Sequence, residues 1–338
     1  MAMSEFEIIA RNFAAGGVDR GDVVLGIGDD GAVLQLPAGC DLVTVVDTLV
    51  AGVHFPPEAR PEDVGYKALA VNLSDVAAMG AVPAWATLAL TLPSSDETWL
   101  RAFARGFFEL AEQYGVQLVG GDTTHGPLTI TVQVQAWVRK GRAVRRAGAK
   151  PGDVIYVTGT LGDAGLALRA WREGFDFPLL HGDYLYSRLH RPIPRCKEGM
   201  ALGSVATAMI DISDGLAADL GHVLTASGVG ATVNVQDIPL SPSFSAVAAA
   251  ENIVVDDIDG LRLAVSAGDD YELCFTAPET QRRRIEELCA EFACRCRAIG
   301  IIEEGPPGLR LKQMDGTLLT LERCGYEHFA RKSSDVGD

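Results

Sequence analysis

Positive charge is scarce in this chain: 29 Lys and Arg stand against 45 Asp and Glu, a formal net charge of −16. So acidic a surface repels polyanions, which argues against nucleic acid and anionic membrane as partners. Long hydrophobic runs are missing too. No apolar stretch nears the roughly 18 residues needed to span a bilayer. The start, MAMSEFEIIARNFA, has neither the basic opening nor the apolar core of a signal peptide. A soluble, cytoplasmic protein is the expectation. The seven cysteines, at 40, 196, 274, 289, 294, 296 and 324, form no C-x-x-C pair. No histidine stands at zinc-finger spacing from Cys294 and Cys296, so reduced thiols are expected in place of a structural zinc.

Common phosphate-handling and hydrolytic signatures are absent as well. There is no G-x-x-x-x-G-K-[ST] loop, no H-R-D or D-F-G pair, no G-x-S-x-G elbow and no H-E-x-x-H. Gly26-Ile27-Gly28 runs into Asp29 and Asp30, which would repel a bare pyrophosphate. GTLGDAG (159–165) opens a helix, and Asp163 there reads as an N-cap more readily than as part of an anion site.

What the chain does have is aspartate at the ends of apolar runs. The runs are VVLGIGDD (Asp29, Asp30), DLVTVVD (Asp47), ALAVNLSD (Asp75), VQLVGGD (Asp122), MIDISDG (Asp211, Asp214) and LAVSAGDD (Asp269, Asp270). They read as strand ends that point carboxylates at an oxygen-rich site for hard cations, the kind that holds Mg²⁺ on phosphates. An aspartate in such a turn also caps helices and closes Asx turns. Six such places together concentrate like charge, which cations make tolerable. The candidate cationic partners of a phosphate are Lys67 and, in a basic stretch, Arg142, Arg145 and Arg146. His54 could contact a phosphate, although its spacing alone favours a structural role.

The length, 338 residues, suits about two domains. Ser4 and Glu7 form a capping box for a helix over about 4–15. Strands are predicted near 23–27, 42–47 and 84–92, with a helix over 61–80. The clearest helix is 96–114, whose Trp99, Leu100, Phe103, Phe107, Leu110 and Tyr114 recur at helical spacing as core. Segment 128–138 alternates strictly, as an antiparallel strand with one wet or interfacial face does, so the sheet is mixed. Residues 139–152 are basic and glycine-rich and make a domain boundary. Beyond them the pattern predicts strand 153–158, helix 161–173, helix 214–226, strands 229–235, 261–266 and 271–276, and helix 279–291. The tail after 331 reads as disordered.

In order along the chain, GIGDDGA, VVDTLVAGVHF, NLSDVAAMGA, LVGGDTTHGPLTI, RAGAKPGD, IDISDGLAADL, GDDYEL and GYEHF resemble thiamine-monophosphate kinases. The resemblance spans about residues 4–330. It implies an α/β (α+β), two-domain PurM-like fold of the aminoimidazole-ribonucleotide-synthetase-like superfamily. An N-terminal ATP- and Mg²⁺-binding domain, 1–140, would pair its mixed sheet with that of a second copy into a barrel. A C-terminal α/β domain, 150–330, would close a cleft against it. The implied reaction is phosphoryl transfer from ATP to thiamine monophosphate in a homodimer, with several Mg²⁺ ions and K⁺ as a further candidate. Position by position, Asp30, Asp47, Asp75, Asp122, Asp211 and Asp214 match the family's metal ligands. Gly121, Asp122, Arg146 and Ser213 match its ATP contacts, and Asp75, Asp122 and Arg146 its catalytic group. His54, Asp269 and Tyr326 match contacts to the thiamine phosphate. Two departures stand out. Val45 and Val46 replace the Ser or Thr often found before Asp47, leaving only backbone carbonyls there, and Asp269 stands where Glu is common. The residues alone also allow a related ATP-dependent synthetase, or a nucleotide- or Ca²⁺-binding protein without turnover.

Overall fold

Helix α1 (Glu5–Asn12) begins where its capping box puts it: the Ser4 hydroxyl accepts the Glu7 amide, and the Glu7 carboxylate accepts the Ser4 amide. The computed structural model describes residues 4–14, 16–174, 177–251, 253, 258–319 and 325–326. After α1 come β1 (Val23–Leu25), β2 (Val33–Leu34), β3 (Cys40–Val50), α2 (Pro61–Ala78), β4 (Val82–Leu92), α3 (Glu97–Tyr114), β5 (Gln117–His125) and β6 (Thr129–Arg139). The second half opens with β7 (Asp153–Thr158), α4 (Asp163–Glu173), α5 (Leu179–His190), α6 (Cys196–Leu202), β8 (Ala208–Asp211) and α7 (Leu216–Ser227). It continues with β9 (Gly230–Asn234), α8 (Pro242–Ala250), α9 (Ile258–Val265), β10 (Leu273–Pro278), α10 (Arg282–Glu291), β11 (Cys296–Glu303), β12 (Gly308–Lys312) and β13 (Leu318–Leu319).

The first half builds a four-stranded sheet in the order β3-β6-β4-β5. It is mixed, because β3, β6 and β4 pair antiparallel while β4 and β5 run parallel. Alternation on β6 decides its faces: Ile130, Val132, Val134, Ala136 and Val138 are buried, while the residues between them are partly exposed. The second half builds a seven-stranded sheet, β13-β12-β9-β11-β7-β10-β8. Among the described residues its pairings are antiparallel except for β12 with β9.

Helix α2 joins the two halves. From Val64 to Ala78 every residue but Asp75 is buried. A helix apolar all round belongs inside a protein, and α2 contacts β3, β4, β6 and α3 on one side and α5, α6 and β8 on the other. It meets α3 through glycine. A Cβ on Gly106 would collide with the Glu62 carbonyl, and one on Gly65 with the Phe103 carbonyl.

Several expectations need correcting. The run at 261–266 belongs to helix α9, not to a strand, because Leu261, Ala264 and Val265 bury a helical stripe beside α4 and α7. Helices α5, α6 and α8 were not anticipated. Helix 279–291 starts as a 3₁₀ turn, Glu279–Gln281. Asp163 is not an N-cap, a position held by Gly162. Cys289 and Cys296 are joined by a disulfide, with Cα atoms 6.1 Å apart. The reduced-thiol reading fails for this pair because the turn between α10 and β11 folds the two positions together. The tail after 331 lies outside the described residues. Among the described residues, no helix is long and apolar enough to cross a membrane.

In an exposed helix, Gly→Ala would stabilise the fold. Gly106→Ala should instead cost about 1–3 kcal/mol, because the added methyl must push α2 off α3. Urea unfolding measures this, and an unchanged or raised midpoint would contradict the close packing.

Candidate active site

A cleft of about 430 Å³ opens where β3 and α2 meet the turns at 211–214 and 267–271. Asp47, Asp75, Asp211 and Asp214 line it, together with Ser213, His54, Lys67, Asp269, Tyr271 and Tyr326. Asp47 shares a strand face with the buried Val43 and Leu49, so the pleat aims it inward. It sits inside β3, not at its end. Asp75 is likewise not at a strand end, since ALAVNLSD is interior helix. There Lys67, Val71 and Asp75, four residues apart, form one stripe along the cleft wall. Asp211 closes β8, and its carboxylate accepts the buried Ser74 hydroxyl at 2.7 Å. The turn after it is held by Asp219, whose carboxylate accepts the amides of Ser213, Asp214 and Gly215 at 3.0, 3.0 and 3.1 Å. Asp219 was not singled out in the sequence, although an acidic residue in a first helical turn is a readable signal.

These carboxylates are uncomfortable together. Burial, then the charges of Asp211 and Asp47, push Asp75 up to about 8. Burial and the charge of Asp47 also raise Asp211 above the usual range, against the pull of Ser74 and Arg146. Asp47 is raised by burial and by Asp214. Like charges at such range cannot all ionise near neutrality without a cation. Among the described residues, no three Asp, Glu, His or Cys side chains converge tightly enough to hold an ion by themselves. An all-oxygen set that supplies one or two carboxylates per ion fits Mg²⁺, which takes its other ligands from phosphate and water. Arg146 sits on an exposed strap, and its charge lowers the titration of both Asp75 and Asp211. Arg142 and Arg145 are exposed on the same strap and do not line the cleft.

Asp30, Gly121 and Asp122 are elsewhere. With Asp29 and Gly28 they line a second cavity of about 550 Å³, beside Phe6, Ile9 and Phe13 of the N-terminal segment. Asp122 lies on β5 and Asp47 on β3, the two edges of the small sheet. Three strand spacings separate them, on the order of 14 Å. The aspartates expected to converge therefore fall into two groups within one chain.

At the end of the cleft beside Lys67 and Asp269, the His54 ring accepts the Val50 amide through Nδ1 at 2.9 Å. A small chamber of about 120 Å³ continues the cleft past His54, Lys67 and Asp269 toward Phe55, Pro56, Leu168 and Trp171. The Tyr326 amide donates to the Asp214 carbonyl at 3.2 Å, and residues 327–329 of GYEHF lie outside the described residues. Asp270 faces away from the cleft. It is buried and accepts the Gly162 amide at 2.9 Å, so one amide that GTLGDAG could offer an anion is already used. Asp163 is buried and accepts the hydroxyls of Thr160, Ser241 and Tyr184.

Residues 28–138 match the family model for the AIR synthase related protein, N-terminal domain, and residues 150–312 match that for its C-terminal domain. Fold and cleft thus define a protein of the AIR synthase related class. Within that class, the thiamine-monophosphate kinase of Salmonella typhimurium is 47% identical over 331 residues, covering 98% of this chain and 99% of its own. The crystal structure of thiamine-monophosphate kinase from Stenotrophomonas maltophilia superposes with a TM-score of 0.82 at 44% identity, covering 94% of this chain and 99% of that one. AaThiL, solved in complex with AMPPCP and TMP, gives a TM-score of 0.76 at 32% identity, covering 90% and 92% of the two chains. This chain belongs to the thiamine-monophosphate kinase family.

The titration of Asp75 and Asp211 has a consequence for stability. Both carboxyls are held above their unfolded value near 4, so the folded protein binds more protons than the unfolded chain between about 4 and about 8. Their contribution to stability is therefore present at the acidic end and lost as pH rises through that window. In chelator-treated protein, Asp75→Asn should raise the melting temperature at pH 8 and flatten its decline between pH 5.5 and 8. Thermal melts across that range measure the slope, and a decline as steep as that of the unsubstituted protein would contradict the assignment.

Proposed function

We infer that this chain catalyses ATP + thiamine monophosphate → ADP + thiamine diphosphate. The observation that carries the reading is a single cleft where Asp47, Asp75, Asp211 and Asp214 meet His54, Asp269 and Tyr326, in a chain of this family. A relative that holds AMPPCP and TMP supports the same pair of ligands, a nucleoside triphosphate and the acceptor. A terminal oxygen of the acceptor phosphate attacks the γ-phosphorus in line, the bond to the β-bridging oxygen breaks, and ADP leaves. The acceptor is already an anion, so no strong base is required, and catalysis rests on positioning and charge neutralisation.

Magnesium, when bound, supplies the positive charge that lets two polyanions meet. We assign its retention to Asp30, Asp47, Asp75, Asp122, Asp211 and Asp214. Gly121, Asp122, Arg146 and Ser213 take the nucleotide, and His54, Asp269 and Tyr326 the thiamine end. Asp75, Asp122 and Arg146 carry most of the catalytic effect. A monovalent K⁺ is a further candidate. We divide the chain into an N-terminal domain at 1–140 and a C-terminal domain at 150–330, and place the protein in the cytoplasm with no nucleic acid or membrane partner.

The working unit in this reading is a homodimer. Strands β3 and β5, of eleven and nine residues, are both unpaired sheet edges among the described residues, and edges that long are normally covered. The outer face of β3 also exposes Leu42 and Val46. A second copy that lays its β5 beside β3 would close the two sheets into a barrel. It would also bring its own Asp30, Gly121 and Asp122 to Asp47, reuniting the two groups of aspartates.

Three measurements bear on this. With ATP, Mg²⁺ and thiamine monophosphate, phosphorus NMR should show thiamine diphosphate appearing with ADP. Asp75→Asn or Asp122→Asn should lower kcat by about 10²–10³ while binding of thiamine monophosphate changes far less, and near-normal kcat at saturating Mg²⁺ would sink the mechanism. Asp47→Asn and Asp122→Asn protein, mixed and allowed to exchange subunits, should recover about a quarter of wild-type activity, because half the dimers then carry one intact shared site. No recovery, with exchange verified, would place each site within one chain.

A further inference from the structure

The cleft contains a buried ion pair that the phosphate chemistry leaves unused. Lys67 is only 3% exposed, and its ammonium lies 2.9 Å from Asp269 Oδ1. The Tyr271 hydroxyl donates to the same oxygen at 3.0 Å, and the Tyr271 ring lies 6.0 Å from the ammonium. Two donors therefore converge on Oδ1. Among the described residues none is placed on Oδ2, and the Asp269 side chain keeps 26% exposure on the cleft.

The backbone there is costly to hold. Asp269 and Tyr271 have φ of 61° and 49°, a region that residues with side chains rarely enter and that collects at ligand clamps. It is maintained by the Asp269 amide on the Ser213 carbonyl and the Tyr271 amide on the Ile212 carbonyl, both at 2.8 Å. The strap that carries Asp269 is thus tied to the turn that carries Ser213 and Asp214. A carboxylate set so near the other four would be drawn to their cations unless another charge engaged it, and Lys67 is that charge. On its far side the pair borders the small chamber, where Phe55, Leu168 and Trp171 offer apolar surface beside Arg172 and His190.

We propose that Lys67 and Tyr271 are positioning residues for the acceptor: by occupying Oδ1 of Asp269 they turn Oδ2 toward the positively charged heterocyclic end of thiamine monophosphate. The acceptor's ring is thereby placed at a fixed distance from the carboxylates that gather the phosphates. This rests on the acceptor assigned above.

Steady-state kinetics of Lys67→Met, Lys67→Arg and Tyr271→Phe test it. Lys67→Met should raise KM for thiamine monophosphate about tenfold or more, and Tyr271→Phe about threefold. In both, kcat and KM for ATP should stay within about twofold, and Lys67→Arg should recover most of the loss. Tyr271→Phe removes one hydroxyl only, so it keeps the test open if Lys67→Met fails to fold. A fall in kcat at unchanged KM, or wild-type constants in the folded variants, overturns the proposal. A wild-type enzyme that makes no thiamine diphosphate overturns the functional reading and this inference together. Normal turnover with unmoved KM in the variants overturns only this inference.

Discussion

Helix α2 has no solvent face, and the site depends on that constraint. A buried helix cannot slide or rotate without opening voids on several sides at once, and protein interiors do not tolerate such voids. Its stripe of Lys67, Val71 and Asp75 is therefore a fixed ruler along the cleft. One end carries the carboxylate of Asp75 beside Asp211, and the other the ammonium of Lys67 beside Asp269. Gly65 of α2 against the Phe103 carbonyl and Gly106 of α3 against the Glu62 carbonyl let the two helices come close enough for this packing. The same helix couples the sheets, so Asp47 from one half of the chain and Asp211 from the other face a common space.

Electrostatics then decides what that space is for. Burial and mutual repulsion raise Asp47, Asp75 and Asp211 together. A fold selected for stability alone would not collect them. Two of them have local support, Ser74 for Asp211 and Arg146 for the Asp75–Asp211 pair, and Asp219 holds the turn that carries Asp214. None of these neutralises the cluster, which stays an acidic site that a cation would relieve. Asp269 is the exception, with its charge already engaged by Lys67.

Local pattern made much of the fold legible. The capping box at Ser4, the aromatic stripe from Trp99 to Tyr114 and the alternation from 128 to 138 each matched the element that formed, because each is a short-range signal. The reading of 261–266 failed because a short apolar run has no decisive period. It became helix α9 when its stripe found α4 and α7 to pack on. Asp75 was grouped with the strand-end aspartates although a helix over 61–80 was anticipated, because an apolar run before an aspartate looks the same in a buried helix as in a strand. Cys289 and Cys296 look unrelated at seven residues, and only the turn between α10 and β11 brings them together.

The identity of the chemistry was largely a matter of sequence. Acidic balance, aspartates beside apolar runs and the ordered family motifs are local facts, and they point to metal-bridged phosphate on a thiamine-monophosphate kinase scaffold. The tertiary structure decided which aspartates meet. Strand order put Asp47 and Asp122 on opposite edges of one sheet, so Asp30 and Asp122 stand apart from Asp47, Asp75, Asp211 and Asp214. It also turned Asp269 toward the cleft and Asp270 into the interior, though they are neighbours in a single motif. Periodicity reports the face on which a residue lies. Which faces come together is set by long-range packing.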